Sequence, residues 1–294
     1  MKGSADRDHL RRRLELALGQ WRQWQCSPQL PFQPNLEGTI TGGLSNHNFL
    51  VSAGQSRFVV RLDGIDPSRH ALNRQFEWRT LQSASENDIA PAPRYFNPQL
   101  GAMVVDYLEA DAKQAVSADE LAGLIRRIHS LPPGHHRVDI AQRIQRYQHR
   151  LTREARPAPP AEHRLYLETV LQDVQATDDG RRSMTHNDLL PANLLRSGGR
   201  LLALDWEYCA MGNALYDLAV VINGDSLPDE DSTQLVEHYL ERPATPEEQE
   251  ALHRYGCVYR YLELLWYLAL DKPMLPGISL DKKHAALHRM LEDT

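Results

Sequence analysis

Residues 186–193, HNDLLPAN, and residues 201–207, LLALDWE, decide the fold of this chain. Three of their residues carry the argument: Asp188, Asn193 and, directly after an apolar strand, Asp205. Phosphoryl transfer needs such groups, because a carboxylate orients or deprotonates the accepting hydroxyl and oxygen ligands hold magnesium against the phosphates. We predict that Asp188 is the catalytic base or orienting group. Asn193 and Asp205 are the predicted Mg²⁺ ligands.

Each of these residues has a plainer explanation when it is taken alone. Asp188 could cap a turn or a helix, and His186 could be a hydrogen-bonded histidine of the core. The ordered combination, with a strand-borne aspartate at this distance, favours the phosphoryl-transfer hypothesis.

Composition excludes several other classes of protein. The 294 residues are 41% hydrophobic and 24% charged, as in ordinary globular proteins, and the formal charge of −6 gives no general attraction to nucleic acid. Cys26, Cys209 and Cys257 are too few for a disulfide framework. The N-terminal residues lack a signal-peptide core, and no apolar run approaches the roughly 20 residues that span a bilayer. We expect a cytoplasmic protein without a membrane or nucleic-acid partner.

The first third of the chain predicts a small antiparallel sheet. Apolar positions recur at helical spacing over residues 8–25, and short alternating segments broken by glycine follow. Predicted strands cover residues 38–41, 49–52, 57–62 and 102–108, and a predicted helix covers residues 67–85.

The remainder of the chain predicts mainly helices. Two further strands, at 194–196 and 201–204, interrupt the helical pattern. The fold class is α+β with two lobes, a small β-rich N-lobe and a larger α-helical C-lobe. The predicted division is 1–35 for an N-terminal helix and connection, 36–110 for the N-lobe and 111–294 for the C-lobe. Predicted helices of the C-lobe cover residues 118–131, 140–154, 162–176, 215–224, 233–241 and 246–270.

These motifs, taken in order over roughly residues 38–270, resemble the aminoglycoside phosphotransferase and choline kinase superfamily, which has a protein-kinase-like fold. The most specific matches are the 186–193 loop and the Asp-Trp-Glu segment that begins at Asp205. The resemblance implies ATP as co-substrate and Mg²⁺ as cofactor. The other segments that carry it are Gly42 to Asn46, Phe58 to Arg61, Asn73 to Glu77, Val104 to Leu108, Leu124 to Leu131 and Tyr216 to Ala219.

The resemblance also implies nucleotide-binding roles. A phosphate-covering turn would contain Gly43, Ser45 and Asn46. Arg61 would pair with the phosphates and with Glu77, although protein kinases use lysine at that strand position. An arginine fork can hold phosphate and carboxylate together.

Adenine would lie against the strand that ends near residue 108. Backbone groups near Asp106 and Leu108 would bind its edge, and a plain buried strand is compatible with that role.

Two further residues of the resemblance have structural explanations. Asp217 is expected to brace the catalytic loop as a helix N-cap, and His129 is expected to be a satisfied core histidine.

The acceptor is expected to be a small alcohol, because the chain lacks the protein-kinase G-x-G-x-x-G and A-P-E segments. The motif sequences most resemble those of choline kinases and bacterial thiamine kinases, whose substrates are cationic. Aromatic faces beside carboxylates suit such cations. The alternative is that Tyr259, Leu262 and Trp266 are simply the buried face of the 246–270 helix. Candidate acceptor-binding residues are Glu207, Tyr208, Glu263, Trp266 and Tyr267.

Two other functions stay open at this point. An aminoglycoside, macrolide or sugar phosphotransferase would use the same loop with a broader acidic pocket. A pseudokinase would bind nucleotide without turnover. The presence of Asp188, Asn193 and Asp205 argues against this alternative. The sequence leaves oligomeric state and the choice between ATP and GTP undecided.

Overall fold

A computed structural model describes residues 2–41, 45–112, 115–176, 180–224, 227–270 and 279–292. Side chains are described for these residues except 2–5 and 229. The predicted phosphate-turn residue Gly43 lies outside the described residues. Within them, no helix has the length and apolar character to cross a membrane.

Short strands dominate the first part of the described chain. Along the chain they are β1 (Asn35–Ile40), β2 (Asn46–Ala53), β3 (Ser56–Asp63), β4 (Pro93–Asn97), β5 (Ala102–Asp106), β6 (Ser183–Thr185), β7 (Leu194–Ser197), β8 (Arg200–Ala203) and β9 (Ala210–Gly212).

Helices dominate the second part. Along the chain they are α1 (Lys2–Gly19), α2 (Arg74–Glu86), α3 (Ala118–His129), α4 (Ile140–Arg153), α5 (Ala161–Ala176), α6 (Ala214–Gly224), α7 (Asp229–Leu240), α8 (Pro246–Ala269) and α9 (Leu280–Glu292).

The chain forms two compact units that differ from the predicted division. Unit 1 comprises residues 1–114 and 195–208, and unit 2 comprises residues 115–194 and 209–294. The N-terminal helix therefore belongs to unit 1, as does the hairpin that leads to Asp205. Hydrogen bonds explain the second assignment, since the Ala203 N–H donates to the Ile89 carbonyl at 2.8 Å.

Unit 1 is built on an antiparallel sheet in the order β1-β2-β3-β5-β4 among its described strands. Alternation along β3 sends Phe58, Val60 and Leu62 into a core that Leu14 and Leu18 of α1 cover. Helix α1 thus closes one face of the sheet. The opposite alternation positions of β3 include Arg61 and Asp63, so charged groups line the other face.

Unit 2 is organised around the 24-residue helix α8, which contacts α4, α5, α6 and α9. A capping box fixes its start: the Thr245 hydroxyl accepts from the Glu248 N–H, and the Glu248 carboxylate accepts from the Thr245 N–H. Its buried residues extend around most of the helix, as expected for a helix packed on several sides. The strands β6 and β9 pair antiparallel within this unit.

The predicted class, a small antiparallel sheet with a mostly helical remainder, is confirmed. Sequence patterns missed β4, β6, β9 and α9. Strand β4 begins with Pro93 at the sheet edge, where proline costs no ladder hydrogen bond but obscures the strand signal. The strands β6 and β9 have three residues each, too few for alternation to be visible.

Candidate active site

The predicted ion pair between Arg61 and Glu77 is present in unit 1. Arg61 Nη1 lies 2.5 Å from Glu77 Oε1, and the Glu77 side chain is 1% exposed. Burial opposes the charge on Glu77, but Arg61 and Arg74 outweigh it and lower the pKa of this carboxyl. The strand β3 and the helix α2 thus share one buried charge pair.

Arg74 pairs with more carboxylates than Arg61 does, although the sequence pattern predicts no role for it. Its guanidinium lies 2.6 Å from Asp63, 2.8 Å from Glu77 and 2.9 Å from Glu207. The sequence signal was the spacing of Arg74 and Glu77, which are buried on the same face of α2 at i and i+3. We call this set the charge cluster: Arg61, Asp63, Arg74, Glu77, Asp205 and Glu207.

Asp205 is the most accessible carboxylate of the charge cluster in unit 1, with about a third of its side chain (34%) exposed. Its backbone has φ of 57°, a left-handed conformation that aspartate tolerates better than most residues. The next residue anchors the turn, because the buried Trp206 indole donates to the Ala203 carbonyl at 3.0 Å. Asp205 also accepts from Arg61 at 3.2 Å.

The charge cluster carries excess negative charge. Among the described residues of unit 1, its two guanidinium groups face four carboxylates, which leaves a formal charge of −2. Desolvation and the Glu207 carboxylate raise the pKa of Asp205 to about 7, against the opposite influence of Arg61 and Arg74. A divalent cation would balance this charge, so the donor set fits the predicted magnesium ligand.

The predicted nucleotide residues of unit 1 have several partners already. Asn46 donates its side-chain amide to Glu207 at 2.9 Å, and the Ser45 carbonyl accepts from the Gly64 N–H. The Asp106 carboxylate pairs with Arg94, and its N–H donates to the Ala92 carbonyl at 2.9 Å. Of these residues, Asn46 is the one that hydrogen-bonds to a member of the charge cluster, Glu207.

The 186–193 loop of unit 2 holds Asp188 and Asn193 together. Asn193 Nδ2 donates to the Asp188 carboxylate at 2.9 Å and to the Asp188 carbonyl at 2.8 Å. Both partners are pure acceptors, so the amide nitrogen must face them and the amide oxygen points elsewhere. That oxygen is the atom expected to bind magnesium.

A single buried carboxylate braces this loop. Asp217, 0% exposed, accepts from the His186 N–H at 2.9 Å and from the Asn187 N–H at 2.7 Å. Asn187 has φ of 63°, a conformation that these bonds support. Burial opposes the charge on Asp217, but hydrogen bonds and the charges of His129 and His186 lower its pKa.

The predicted brace is therefore present, but the predicted helix N-cap is wrong. Asp217 lies in the first turn of α6, which begins at Ala214. Asn213 precedes the helix and accepts from the Leu215 N–H at 2.9 Å, as a capping side chain does. His129 is a satisfied histidine, as predicted: its Nε2 lies 3.1 Å from Asp217 and its Nδ1 lies 2.8 Å from the Tyr239 hydroxyl.

The acceptor candidates fall in different units. Glu207 and Tyr208 belong to unit 1, whereas Glu263, Trp266 and Tyr267 belong to helix α8 of unit 2. Glu207 is 4% exposed and bound to Asn46 and Arg74, so its carboxylate serves the charge cluster rather than a surface. Tyr208 is half-buried.

Helix α8 divides its aromatic residues between core and surface. Tyr259 and Tyr261 are buried, while Trp266 and Tyr267 are half-buried and meet edge to face at 4.9 Å. Burial, then the charges of Glu263 and Asp188, raise the pKa of Tyr267 to about 12. This places Glu263 and Tyr267 in the electrostatic neighbourhood of Asp188 within unit 2. Of the residues in the buried-face alternative, Tyr259 and Leu262 are buried, whereas Trp266 is half-buried.

The comparisons with known proteins decide the family. A model of the phosphotransferase enzyme family matches residues 38–255. The chain belongs to this family. Thiamine kinase of Shigella boydii is 31% identical over 206 residues, which are 69% of this chain and 71% of that protein. The prediction of a small-molecule kinase is thereby confirmed.

Solved structures confirm the kinase-like fold. Choline kinase LicA from Streptococcus pneumoniae has a TM-score of 0.73 at 20% identity, covering 88% of this chain and 95% of LicA. A structure of LicA in complex with AMP has a TM-score of 0.74 at 19% identity, covering 91% and 95%. The ADP-bound aminoglycoside phosphotransferase APH(2'')-Ib has a TM-score of 0.56 at 14% identity, covering 88% and 92%. The AMP and ADP complexes support nucleotide use by kinases of this fold.

Proposed function

We propose that this kinase transfers the γ-phosphoryl group of ATP to the hydroxyl of a small cationic alcohol. Thiamine is the first candidate and choline or ethanolamine the next. The similarity to thiamine kinase supports the first choice. The aromatic and acidic residues on α8 support a cationic acceptor in either case.

One observation carries the proposal: the surroundings of Asp188 join a proton acceptor to a cation-binding face. Asn193 donates one hydrogen bond to the Asp188 carboxylate and one to the Asp188 carbonyl, and Asp188 and Glu263 both raise the pKa of the Tyr267 phenol. An alcohol whose cation lies against Tyr267 and Glu263 would bring its hydroxyl toward Asp188. Asp188 would then accept the hydroxyl proton as the oxygen attacks the phosphoryl group.

Magnesium is the proposed cofactor, and Asp205 and Asn193 are its proposed ligands. The excess charge of −2 in the charge cluster and the outward amide oxygen of Asn193 are the features that fit it. When bound, Mg²⁺ would neutralise charge on the phosphates and stabilise the charge that develops in the transition state.

The nucleotide side of the proposal uses unit 1. Arg61, whose pKa is raised because Glu77, Asp205 and Glu207 outweigh its burial, stays charged and can pair with phosphate. The turn around Gly43 and Ser45 remains the proposed phosphate cover. Leu108 remains the proposed adenine contact, together with the Asp106 carbonyl.

The roles of two candidates are revised in this proposal. Glu207 holds Arg74 and Asn46 in place, and we assign it to the charge cluster instead of the acceptor. Tyr208 stays a candidate acceptor contact next to it. Glu263, Trp266 and Tyr267 are the main acceptor-binding residues.

The test is a panel of alcohols read by coupled ADP release with magnesium and ATP. Thiamine, choline, ethanolamine, an amino sugar and an aminoglycoside form the panel, and GTP replaces ATP in a parallel series. We expect turnover with a cationic alcohol, and a loss of about 10²–10⁴-fold in kcat for Asp188→Asn with the fold retained.

Controls separate chemistry from folding. Asp231→Asn changes an exposed aspartate of α7 in the same unit and should leave turnover and circular dichroism unchanged. Turnover confined to the aminoglycoside would contradict the proposed acceptor, and full turnover in Asp188→Asn would contradict the mechanism.

A further inference from the structure

Lys283 occupies a cation-binding position next to the proposed acceptor site. This residue of α9 was not singled out by the sequence. Its Nζ lies 2.6 Å from Glu263 Oε1 and 4.7 Å from the centroid of the Tyr267 ring. An ammonium over an aromatic face and beside a carboxylate is the arrangement by which proteins bind cationic ligands.

Lys283 has one anionic partner, Glu263, and one aromatic partner, Tyr267, and both lie on one face of α8. Glu263 and Tyr267 are spaced i and i+4, so their side chains project from the same side of the helix. The side chains of Lys283 and Glu263 are 20% and 11% exposed, so water screens their attraction less than at an open surface. The Glu263 carboxylate and the Tyr267 ring therefore form a site that attracts a positive charge.

Glu263 and Lys283 form one ion pair. A second cation entering beside Glu263 would therefore be repelled by the Lys283 ammonium. The other carboxylate oxygen, Glu263 Oε2, is buried and accepts no hydrogen bond from the described residues. A ligand cation can therefore contact both the Glu263 carboxylate and the Tyr267 ring only when the Lys283 ammonium moves away from them.

We propose that Lys283 is a specificity-determining residue that fills the position of the acceptor's positive charge and must be displaced by a cationic acceptor. This inference rests on the proposed function for the identity of the acceptor. The lysine stem has four rotatable carbons, so its ammonium can withdraw toward solvent without movement of α9. Lys283 lowers the affinity for cations and leaves neutral alcohols unaffected.

Binding of tetramethylammonium tests the inference without chemistry, because this cation has no hydroxyl to phosphorylate. Titration calorimetry compares the wild-type chain with Lys283→Met, which keeps much of the stem and removes the charge. We expect the Kd to fall about five- to tenfold, the scale of one partly screened ion pair. Lys282→Met, at an exposed neighbouring lysine, should leave the Kd unchanged.

A second variant covers a failure of Lys283→Met to fold. Lys283→Gln keeps a hydrogen-bond donor for Glu263 and should also bind tetramethylammonium more tightly. Adding Glu263→Gln to it should remove that gain. An unchanged or higher Kd in the folded Lys283 variants, or no binding of tetramethylammonium to any variant, overturns the proposal.

Parallel ADP-release assays distinguish this inference from the proposed function. Wild-type turnover of a cationic alcohol together with an unchanged Kd in the Lys283 variants overturns the role of Lys283 alone. Tighter binding of tetramethylammonium with no turnover of any cationic alcohol supports the cation position and overturns the proposed function. A lower KM for thiamine or choline in Lys283→Met, with kcat retained, supports both.

Discussion

Asp205 of unit 1 and Asp217 of unit 2 hold their negative charges in opposite ways. Asp205 belongs to a cluster with two more carboxylates than guanidinium groups among its described members, and its pKa is raised to about 7. Asp217 is fully buried but accepts two backbone N–H groups and faces His129, and its pKa is lowered. Asp205 lies in the turn after β8, whereas Asp217 lies in the first turn of α6.

The difference separates function from architecture. The charge on Asp205 is poorly compensated by the protein alone, as suits a group that awaits a cation. The charge on Asp217 is compensated by hydrogen bonds that fix the loop carrying Asp188. Asp205 carries a poorly compensated charge, which fits its proposed role as a magnesium ligand, while Asp217 contributes directly to stability.

Asp205→Asn is the strongest test of this comparison. We expect kcat to fall by roughly a thousandfold, because the ligand charge for magnesium is lost. Without magnesium we expect the free energy of unfolding to rise by about 1 kcal/mol, since one excess charge is removed and water screens part of the effect. Asparagine also tolerates the left-handed backbone. Urea melts in EDTA and ADP-release assays measure the two quantities.

Asp88→Asn is the matched control for that variant. Asp88 is an exposed aspartate of unit 1 that also has positive φ, at 56°. It should change neither stability nor turnover appreciably. A lower stability of Asp205→Asn, with Asp88→Asn unchanged, would refute the excess-charge account.

Arg74→Met breaks the charge cluster from the opposite side. Removal of this guanidinium leaves Glu77 and Glu207 buried with too few cationic partners, so we expect a loss of about 3–5 kcal/mol in the free energy of unfolding. Chemical denaturation of Arg74→Met and of Arg79→Met, an exposed arginine on the same helix, gives the measurement. Equal stability of the two variants would mean that Arg74 does not hold the cluster.

Asp217→Asn breaks the brace of unit 2. The amide keeps one acceptor oxygen for two N–H groups, so we expect a loss of about 2–3 kcal/mol. Because the pKa of Asp217 is lowered, its contribution is present above the ordinary value of 3.8 and declines only as the pH falls through the lower folded value. The difference from wild type should therefore stay constant from neutral pH to about 4 and shrink only below it. A difference that disappears already near pH 6 would contradict this account.

Tyr239→Phe gives the smallest expected effect. It removes the hydroxyl that contacts His129 Nδ1 at 2.8 Å and leaves the contact between His129 and Asp217 in place. We expect a loss of about 1 kcal/mol in stability with turnover nearly unchanged. A loss as large as that of Asp217→Asn would show that the brace depends on the whole chain of hydrogen bonds.

Local patterns were sufficient for much of the fold. The capping box at Thr245, the apolar periodicity of the long helices and the alternation in β3 each depend on neighbours in sequence, so they could be predicted. Strand β4 was missed because Pro93 and its edge position conceal it. Helix α9 was overlooked, although Leu280, Leu287 and Leu291 recur at helical spacing.

Long-range partners were out of reach of the same reasoning. Arg74 and Glu207 are 133 positions apart, and Lys283 and Glu263 lie on different helices. No spacing rule connects such residues, because their contact depends on how the elements pack. The proposed revision of Glu207 from acceptor contact to charge cluster depends on such a contact, whereas the helix-cap prediction for Asp217 was wrong because α6 begins three residues earlier, at Ala214.

By itself, the sequence determined the class of fold and of enzyme and predicted the roles of the 186–193 loop, because residue type and short spacing govern those properties. Only the tertiary structure decided which charges compensate one another. It revealed excess negative charge at Asp205, compensated charge at Asp217 and an internal ammonium at Glu263. Electrostatic energy depends on distance and burial in space, and these are settled only when distant parts of the chain pack together.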